Sequence, residues 1–191
     1  TYLDREDAAE RETFVADITD FDAIRPAFEG QDAVVHLAGD PAVEATWRSC
    51  LQNNVVGTYN VLEAASQAGV ERVVFASSNH VVAGWEDDHL DELWSGEMVI
   101  DRHTPRRPDS FYGVSKAFGE DLGRYYIECH DYPEQFYALR IGNVSYEEYD
   151  HPYAWPEVRV AEGEYERGSP DYEERVGRMK AMWHSRRDFA H

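Results

Sequence analysis

The sequence predicts an α/β fold, a doubly wound parallel sheet in three α/β/α layers, on two observations. Short apolar runs typical of strands alternate along the chain with longer amphipathic runs typical of helices. Residues 32–38 form a continuous apolar run between Gly30 and Gly39, as expected of a strand buried on both faces. This alternation indicates βαβ crossovers, which join parallel strands and place helices over the sheet.

The individual elements follow from the same periodicities and from the turn residues between them. Thr19 or Asp20 is the expected cap of the first helix, and Gly69 ends the second helix. The expected elements are, in order, a short strand at 12–16, a helix at 20–28, the strand at 32–38, a helix at 44–67, a strand at 72–77, a helix at 112–129 and a strand at 135–141.

Two polar stretches interrupt this alternation. Residues 84–108 are rich in charge and contain Pro105 and Pro108, which predicts a long loop. Residues 146–176 are rich in Asp and Glu and are interpreted as an acidic surface insertion rather than a second domain. The whole chain, 1–191, is therefore expected to be a single domain.

The composition is strongly acidic. The chain has 191 residues, 38 of them Asp or Glu and 18 Lys or Arg, with a formal net charge of −20. Such a surface repels phosphate backbones and anionic lipid, so we expect no nucleic-acid partner and no membrane partner. Only Lys116 and Lys180 are lysines, and abundant carboxylates with almost no lysine are typical of proteins from high-salt cells. The alternative is an ordinary acidic domain.

The sequence favours a cytoplasmic, reduced protein without a metal. No apolar run approaches the roughly 18–20 residues of a membrane span, and the first residues do not resemble a signal peptide. Cys50 and Cys129 are too few for a disulfide framework. The eight His show no metal-ligand spacing with acids or cysteines.

Ligands of an open parallel sheet bind beyond the carboxyl ends of the strands, and two such ends carry weak signals. Asp4 follows a short apolar stub, where an acid can accept hydrogen bonds from the adenosine ribose of NAD. Arg5 leaves NADP open, and a solvated Asp is the plainer interpretation. Residues 34–39 run into a small-residue turn that a cofactor can approach closely, although an ordinary strand-to-helix turn would look the same.

The third strand end carries the strongest signal. Ser78 closes a predicted strand, and Tyr112 and Lys116 lie four residues apart at the start of a predicted helix. Residues at i and i+4 share a helix face, so the Lys116 charge can lower the pKa of the Tyr112 phenol and make it a usable base. A serine at the adjoining strand end can hydrogen-bond the substrate oxygen. The alternative is a surface pair on an amphipathic helix.

Taken together, these motifs resemble those of the extended short-chain dehydrogenases/reductases, that is, of the NAD-dependent epimerase/dehydratase family. Any one of the matching motifs is unspecific, but their occurrence in the expected order is specific. They lie at residues 15–20, 35–39, 54–64, 75–78, 112–116 and 140–143. The resemblance implies a Rossmann-like fold that here lacks its first βα unit.

The resemblance also implies roles for individual residues. Ser78, Tyr112 and Lys116 would be the catalytic triad, with Tyr112 as acid/base, and Lys116 would also bind the nicotinamide ribose. Asn54 would support the active-site network. The residues expected to bind the cofactor NAD are Asp4 at the adenosine ribose, Asp17 and Ile18 beside the adenine, Leu37, Ala38 and Gly39 along the pyrophosphate path, and Asn54, Tyr112, Lys116 and Ile141.

A narrower resemblance is to the branch that oxidises the C1 hydroxyl of a sugar. That branch includes uronate dehydrogenases and the NAD-dependent glucose-6-phosphate dehydrogenases of halophilic archaea. It implies that Ser78, Asn79 and His80 bind the sugar, and that Arg178 grips its anionic group, with Arg167 as a rival for that role. Tyr112 would take the C1 hydroxyl proton while a hydride leaves C1, giving a lactone.

Three alternatives stay open beside glucose 6-phosphate oxidation. The enzyme alternatives are a uronate dehydrogenase and a nucleotide-sugar epimerase or dehydratase; the alternative from another class is a non-catalytic dinucleotide-binding regulator. No Gly-rich phosphate loop occurs in the chain, so we expect a fragment of a protein of roughly 250 residues. The resemblance further implies a possible homodimer, formed through the helix of Tyr112 and the helix at 45–68.

Overall fold

The computed structural model of the protein describes residues 13–144, 151 and 153–184. The helices are α1 (Phe21–Ile24), α2 (Trp47–Ser49), α3 (Gly57–Ala68), α4 (Gly84–Ser95), α5 (Phe111–Cys129), α6 (Ala154–Ala161) and α7 (Pro170–Met182), with 3-10 turns at Arg25–Phe28 and Asn79–Val81 and a π-helical segment at Cys50–Val56. The strands are β1 (Ala33–His36), β2 (Arg72–Ser78), β3 (Gln135–Ile141), β4 (Asn143–Val144) and β5 (Trp183–His184).

Strands β1, β2 and β3 form one sheet in that order. β1 pairs with β2 in parallel, with Ala33 opposite Arg72 and His36 opposite Phe75. The predicted parallel sheet with flanking helices is therefore confirmed. The predicted strand at 12–16 is wrong for its described residues, because 13–16 form no strand.

The chain divides into two compact units, and the first comprises Thr1–Ala76 and Ser110–Leu139. Helix α5 lies against the sheet through small residues, since Gly119 and Gly123 contact the rings of Phe75 and Phe136. Burying apolar surface is the main stabilising contribution to such a core. The buried cluster of this unit consists of Ile24, Phe28, Val61, Leu62, Ala64, Ala65, Val70, Val73 and Tyr126.

One face of β1 is open in the described structure. Val35 is 63% exposed and Leu37 is 64% exposed, whereas His36, which points to the other face, is buried. The expectation that this strand is buried on both faces is therefore wrong for the described structure, because Val35 is largely exposed on one face.

The predicted helix at 44–67 is a composite of three helical segments. It begins later than expected, at Trp47, because the Thr46 hydroxyl caps it by accepting from the Ser49 N–H at 3.3 Å. The chain then passes through the π-helical segment, which is a rare conformation often found at functional sites. Gly69, with a φ of 74°, ends α3 in the left-handed conformation.

The ends of the other first-unit elements follow the sequence. Asp20 caps α1 by accepting from the Ala23 N–H at 3.1 Å, which decides between the two expected caps. Ser110 caps α5 by accepting from the Gly113 N–H at 3.1 Å. β3 has the predicted bounds, and α5 begins one residue earlier than predicted.

The second unit comprises Ser77–Asp109 and Arg140–His191. The expectation of a long loop at 84–108 is wrong for its first half, since Gly84–Ser95 is helix α4. This segment contains no proline, so the backbone is free to form helical hydrogen bonds. Arg107 anchors the rest of the stretch, because its N–H donates to the Val81 carbonyl at 2.9 Å.

The acidic stretch at 146–176 contains regular structure in its described part. It holds α6 and the first turns of α7, and the short strand β4 that precedes it pairs in parallel with β5. Tyr172 joins the two helices by donating its hydroxyl to Glu157 at 2.6 Å. The interpretation of this stretch as an insertion in a single domain stays a prediction.

Candidate functional site

Tyr112 and Lys116 occupy the first turns of α5, one helical turn apart. The Lys116 ammonium lies 5.5 Å from the centroid of the Tyr112 ring and 5.0 Å from that of Phe75. Lys116 Nζ also donates a hydrogen bond to the Ala76 carbonyl at 2.8 Å. A strand end therefore fixes the ammonium beside the phenol.

Lys116 is buried, with only 7% of its surface exposed. Burial disfavours the charged ammonium and lowers the pKa of Lys116 from 10.5 to about 8. The side chain still carries its charge at neutral pH, and a charge screened so little by water acts strongly on its neighbours. This is the electrostatic condition that a tyrosine base requires.

His36 packs against the Phe75 ring, which Lys116 also contacts. Its imidazole packs against Phe75 with ring centroids 5.5 Å apart, and its Nε2 lies 3.1 Å from the Thr58 hydroxyl. Burial, and secondarily the charge of Lys116, lowers the pKa of His36 from 6.5 to about 4. His36 is therefore neutral at pH 7. The sequence interpretation gave it no role, although a polar residue inside an apolar strand run was a signal.

Asn54 joins the end of β1 to the turn of α5 that carries Tyr112 and Lys116. Its amide nitrogen donates to Ser115 Oγ at 2.9 Å and to the Asp40 carbonyl at 3.1 Å, and its amide oxygen accepts from the Asp40 N–H at 2.7 Å. Ser115 Oγ in turn donates to the Tyr112 carbonyl at 2.7 Å. Asn54 thus connects the end of β1 with α5 through Ser115, which the sequence interpretation missed.

The turn after β1 requires glycine at position 39. Gly39 has a φ of 146°, and a Cβ built on it would lie 2.8 Å from Asn54 Oδ1. Leu37, Ala38 and Gly39 are all exposed, and Gly39 has no side chain to cover its backbone. Asp40 follows, and a hydrogen bond from the Ser49 hydroxyl, then one from the Ala42 N–H, lowers the pKa of its carboxyl.

Residues Asp17 and Ile18 form a fixed turn beside α3. The Asp17 carboxylate accepts from Thr19 N–H at 2.9 Å and from its hydroxyl at 2.8 Å, and these bonds lower the pKa of Asp17. Asn60, which the sequence interpretation missed, donates to the Ile18 carbonyl at 3.0 Å. A Cβ on Gly57 would lie 2.9 Å from the Ile18 side chain. Ile18 is therefore held firmly on α3.

The predicted substrate-binding residues at the end of β2 belong to the second unit. Ser78 Oγ accepts from the His80 N–H at 3.2 Å and donates to Asn79 Oδ1 at 3.3 Å. The His80 ring lies 2.7 Å from the Asp109 carboxylate through Nδ1. The structure therefore groups Ser78, Asn79 and His80 and adds Asp109, which the sequence interpretation missed.

The two candidate anion ligands differ in their partners. Arg167 is paired with the Glu157 carboxylate through both Nε and a terminal nitrogen. Arg178 Nε lies 3.3 Å from Glu174 Oε1, but this contact lacks hydrogen-bond geometry, so the buried Nε has no hydrogen-bond partner among the described residues. Both arginines are thus ion-paired with a glutamate, but Arg178 keeps an unused Nε donor, which favours Arg178 over Arg167 as the anion ligand.

Two further residues, Asp4 and Ile141, were predicted to bind the cofactor. Asp4 lies outside the described residues, and Ile141 is half-buried at the end of β3. The described His, Cys, Asp and Glu side chains include no group of three or more that is arranged to hold a metal ion. Within the described ranges, no helix combines the length and apolar character needed to cross a membrane.

Comparison with known proteins gives consistent relatives. The chain is 43% identical over 183 residues to the NAD-dependent glucose-6-phosphate dehydrogenase of Haloferax volcanii, covering 94% of this chain and 60% of that protein. It is 39% identical over 132 residues to the uronate dehydrogenase of Pseudomonas syringae pv. tomato, covering 69% of this chain and 44% of that protein. The chain thus spans about half the length of the relatives it matches.

A solved structure and a family model agree with these relatives. A mutant uronate dehydrogenase from Agrobacterium tumefaciens, complexed with NAD, superposes with a TM-score of 0.64 at 30% identity, covering 91% of this chain and 51% of that one. The likeness confirms the Rossmann-like fold. Residues 2–150 match the model of the NAD dependent epimerase/dehydratase family. The chain therefore belongs to the NAD-dependent epimerase/dehydratase family, as its motifs predict.

Proposed function

We propose that this chain carries the catalytic residues of an NAD-dependent sugar dehydrogenase that oxidises the C1 hydroxyl of a hexose derivative, with glucose 6-phosphate as the foremost substrate. The observation that carries the proposal is the buried Lys116 ammonium, fixed 5.5 Å from the Tyr112 ring. Burying this charge destabilises the fold, and a neighbouring phenol that has to ionise gives the charge a function.

The first-unit residues fit a bound dinucleotide. Ala38 and Gly39 are exposed at the end of β1, and Gly39 has no side chain to keep a pyrophosphate away from its backbone. Ile18 offers an apolar edge for the adenine, and Lys116 a cation for the nicotinamide ribose. When bound, NAD supplies the acceptor for the hydride that leaves C1.

In the proposed reaction the protein handles the proton and the geometry. Tyr112, as phenolate, takes the proton of the C1 hydroxyl, and the charge of Lys116 stabilises that phenolate. Ser78 hydrogen-bonds the C1 oxygen, while Asn79 and His80 orient the ring hydroxyls. The C1 carbon loses one hydride and its oxygen one proton, which yields the lactone.

A panel of candidate sugars, each assayed with NAD, tests the proposed function. In the full-length gene product, at molar salt, we expect steady NADH formation with glucose 6-phosphate and less with glucuronate or galacturonate. Tightly held NAD and no net NADH with UDP-glucose as the preferred ligand would instead indicate a nucleotide-sugar epimerase or dehydratase. NAD binding without turnover of any sugar would indicate a dinucleotide-binding regulator.

Arg178 is proposed to bind the anionic group of the substrate. A guanidinium matches a phosphate or carboxylate with paired hydrogen bonds, and Arg178 Nε lacks a hydrogen bond among the described residues. We expect Arg178→Gln to raise the KM for glucose 6-phosphate by about 10- to 100-fold. Arg167→Gln is the matched control, and an equal or larger effect of that variant would assign the role to Arg167 instead.

A homodimer through α5 and the predicted helix at 45–68, now α2, the π-helical segment and α3, is proposed on the apolar residues exposed by α5 and α2. Phe111, Val114 and Phe118 lie on one face of α5, and Trp47 packs against Phe111 with ring centroids 5.8 Å apart. Exposed patches of this kind mark interaction surfaces. We expect Phe118→Glu to convert a dimer to a monomer in sedimentation experiments, with Val99→Glu, an exposed site in the second unit, as the control.

The acidic composition supports the further proposal that the protein works in a high-salt cell. Cys50 and Cys129 are both free thiols, which supports a cytoplasmic location. Localisation of the tagged protein in the source cell tests the latter proposal, and a secreted protein would contradict it.

A further inference from the structure

His80 and Asp109 form a pair that spans 29 positions of the sequence. His80 Nδ1 lies 2.7 Å from Asp109 Oδ2, and the side chains are 25% and 21% exposed. The His80 N–H also donates to Ser78 Oγ at 3.2 Å, which ties the same residue to the end of β2. The imidazole is therefore constrained both at its backbone and on one edge of its ring.

The segment that delivers Asp109 is itself fixed. Arg107, two residues earlier, donates its N–H to the Val81 carbonyl and accepts from the Gly84 N–H, both at 2.9 Å. A Cβ on Gly84 would lie only 2.7 Å from the Arg107 carbonyl oxygen, so the two backbones are in close contact. The segment that carries Asp109 to His80 is therefore held in place by backbone hydrogen bonds two residues before Asp109.

The chemistry of this contact determines which ring nitrogen carries the hydrogen. A carboxylate only accepts hydrogen bonds, so the nitrogen that faces Asp109, Nδ1, has to be the donor. In the neutral imidazole the other nitrogen, Nε2, is then an acceptor. An acceptor nitrogen pairs with a hydroxyl and repels an oxyanion.

We propose that Asp109 is a positioning residue that fixes the neutral form of the His80 ring as the Nδ1–H tautomer, so that Nε2 accepts a hydrogen bond from a sugar hydroxyl and does not bind the anionic substituent. The sugar part of this inference rests on the proposed function. It assigns the hydroxyl to the His80 end of the substrate and leaves the anion to an arginine. A carboxylate that sets the tautomer of a histidine acts in the same way in serine proteases.

The tautomer is measured directly and needs no turnover. Long-range 15N–1H correlation spectra distinguish the two tautomers of a histidine, and the ring signals of His80 are assigned as those lost in His80→Gln. We expect the neutral ring of the wild-type protein to carry its proton on Nδ1. In Asp109→Asn, whose amide can donate, we expect a shift of the proton toward Nε2. A wild-type ring protonated on Nε2 overturns the proposal, whatever the variant does.

The kinetic consequence is a loss of hydroxyl recognition. In the full-length gene product we expect Asp109→Asn to lower kcat/KM for the best sugar by about 10- to 100-fold, mainly through KM. Asp101→Asn is the matched control, because Asp101 accepts backbone hydrogen bonds from His103 and Thr104 in the same stretch, which an Asn oxygen also accepts. Equal kcat/KM in wild type and Asp109→Asn overturns the proposal.

Monodeoxy sugars separate recognition from mere misfolding. For the one sugar that lacks the hydroxyl bound by His80, wild type and Asp109→Asn should have the same kcat/KM, while the other monodeoxy sugars still distinguish them. An equal penalty across all monodeoxy sugars assigns a purely structural role to Asp109 and overturns the proposal. If no sugar is turned over, the proposed function fails, and the tautomer spectrum alone decides the role of Asp109.

Discussion

At the residue scale, the first unit places two basic side chains, Lys116 and His36, against one buried phenylalanine, Phe75. Both pKa values are lowered, because burial disfavours the charged form of each base. The two groups respond differently at neutral pH, since Lys116 stays charged and His36 stays neutral. One positive charge is therefore concentrated beside Tyr112.

This charge is expected to cost stability. A pKa lowered from 10.5 to about 8 corresponds to about 3 kcal/mol against the charged form, offset partly by the hydrogen bond to Ala76. We expect Lys116→Met to raise the free energy of unfolding at pH 7 by about 1–2 kcal/mol while abolishing turnover. Urea denaturation measures the effect, and it should shrink as the pH rises from 8 toward 10.5, where the wild-type lysine becomes neutral in the fold. A large loss of stability at pH 7 would contradict this account.

His36 is expected to make the fold sensitive to acid. Its pKa is 6.5 when exposed and about 4 in the fold, so the unfolded chain takes up the proton first as the pH falls. Relative to His36→Gln, the wild-type free energy of unfolding should fall by about 3 kcal/mol between pH 7 and pH 4. Comparing the two proteins cancels the carboxylates they share. A constant difference over this pH range would show that His36 is not a buried neutral base.

At the element scale, Asn54 is the residue through which the π-helical segment holds the turn after β1 and the start of α5. It is 3% exposed and makes hydrogen bonds to Asp40 and Ser115. Such a buried, fully used amide is typical of a group that specifies one arrangement of the elements around it. The geometry of the turn after β1 therefore depends on the π-helical segment as well as on the strand it follows.

This dependence is tested at Gly39. We expect Gly39→Ala to lower the free energy of unfolding by about 2–4 kcal/mol, because the new Cβ meets a strained φ and the Asn54 oxygen. Gly30→Ala is the matched control, since Gly30 has a φ of 71° but open space around it, and it should lose only about 1 kcal/mol. In an Asn54→Ala background, the extra loss of stability caused by Gly39→Ala, compared with Gly30→Ala, should shrink. An unchanged excess in that background would contradict the proposed contact.

The elements that could be predicted from the sequence are those whose own pattern decides them. α5 and β3 match their predicted bounds to within one residue, because the amphipathic period and flanking turn residues are local signals. The π-helical segment and α4 were missed. The first has no distinctive local pattern, and its Asn54 bonds to residues distant in sequence; the second lies in a charged stretch without a clear apolar period. The same limit applies to the site: Tyr112 and Lys116 share a local spacing, whereas Asp109 meets His80 only through the fold.

At the scale of the whole molecule, the outstanding property is the formal net charge of −20. Like charges over a chain of this size destabilise the compact state, and salt shortens their range from about 10 Å at 0.1 M to about 3 Å at 1 M. The few lysines agree with a protein adapted to such salt, and a relative from a halophilic archaeon is 43% identical.

We therefore expect the thermal midpoint to rise between 0.1 and 1 M KCl and then to change less, because the repulsion is largely screened by 1 M. A calorimetric titration with KCl measures the rise, and an equal osmolarity of a neutral osmolyte is the control. A midpoint that is constant or falls with KCl would show that the acidic surface carries no adaptation to salt.

The claim on which the functional account rests is that Tyr112 is the base, and one measurement tests it most directly. In the full-length gene product, Tyr112→Phe should lower kcat for NADH formation by about 10²- to 10⁴-fold with little change in NAD affinity, because only the proton acceptor is lost. Tyr125→Phe, at an exposed position on the same helix, should keep its kcat. Undiminished kcat in Tyr112→Phe would contradict the account.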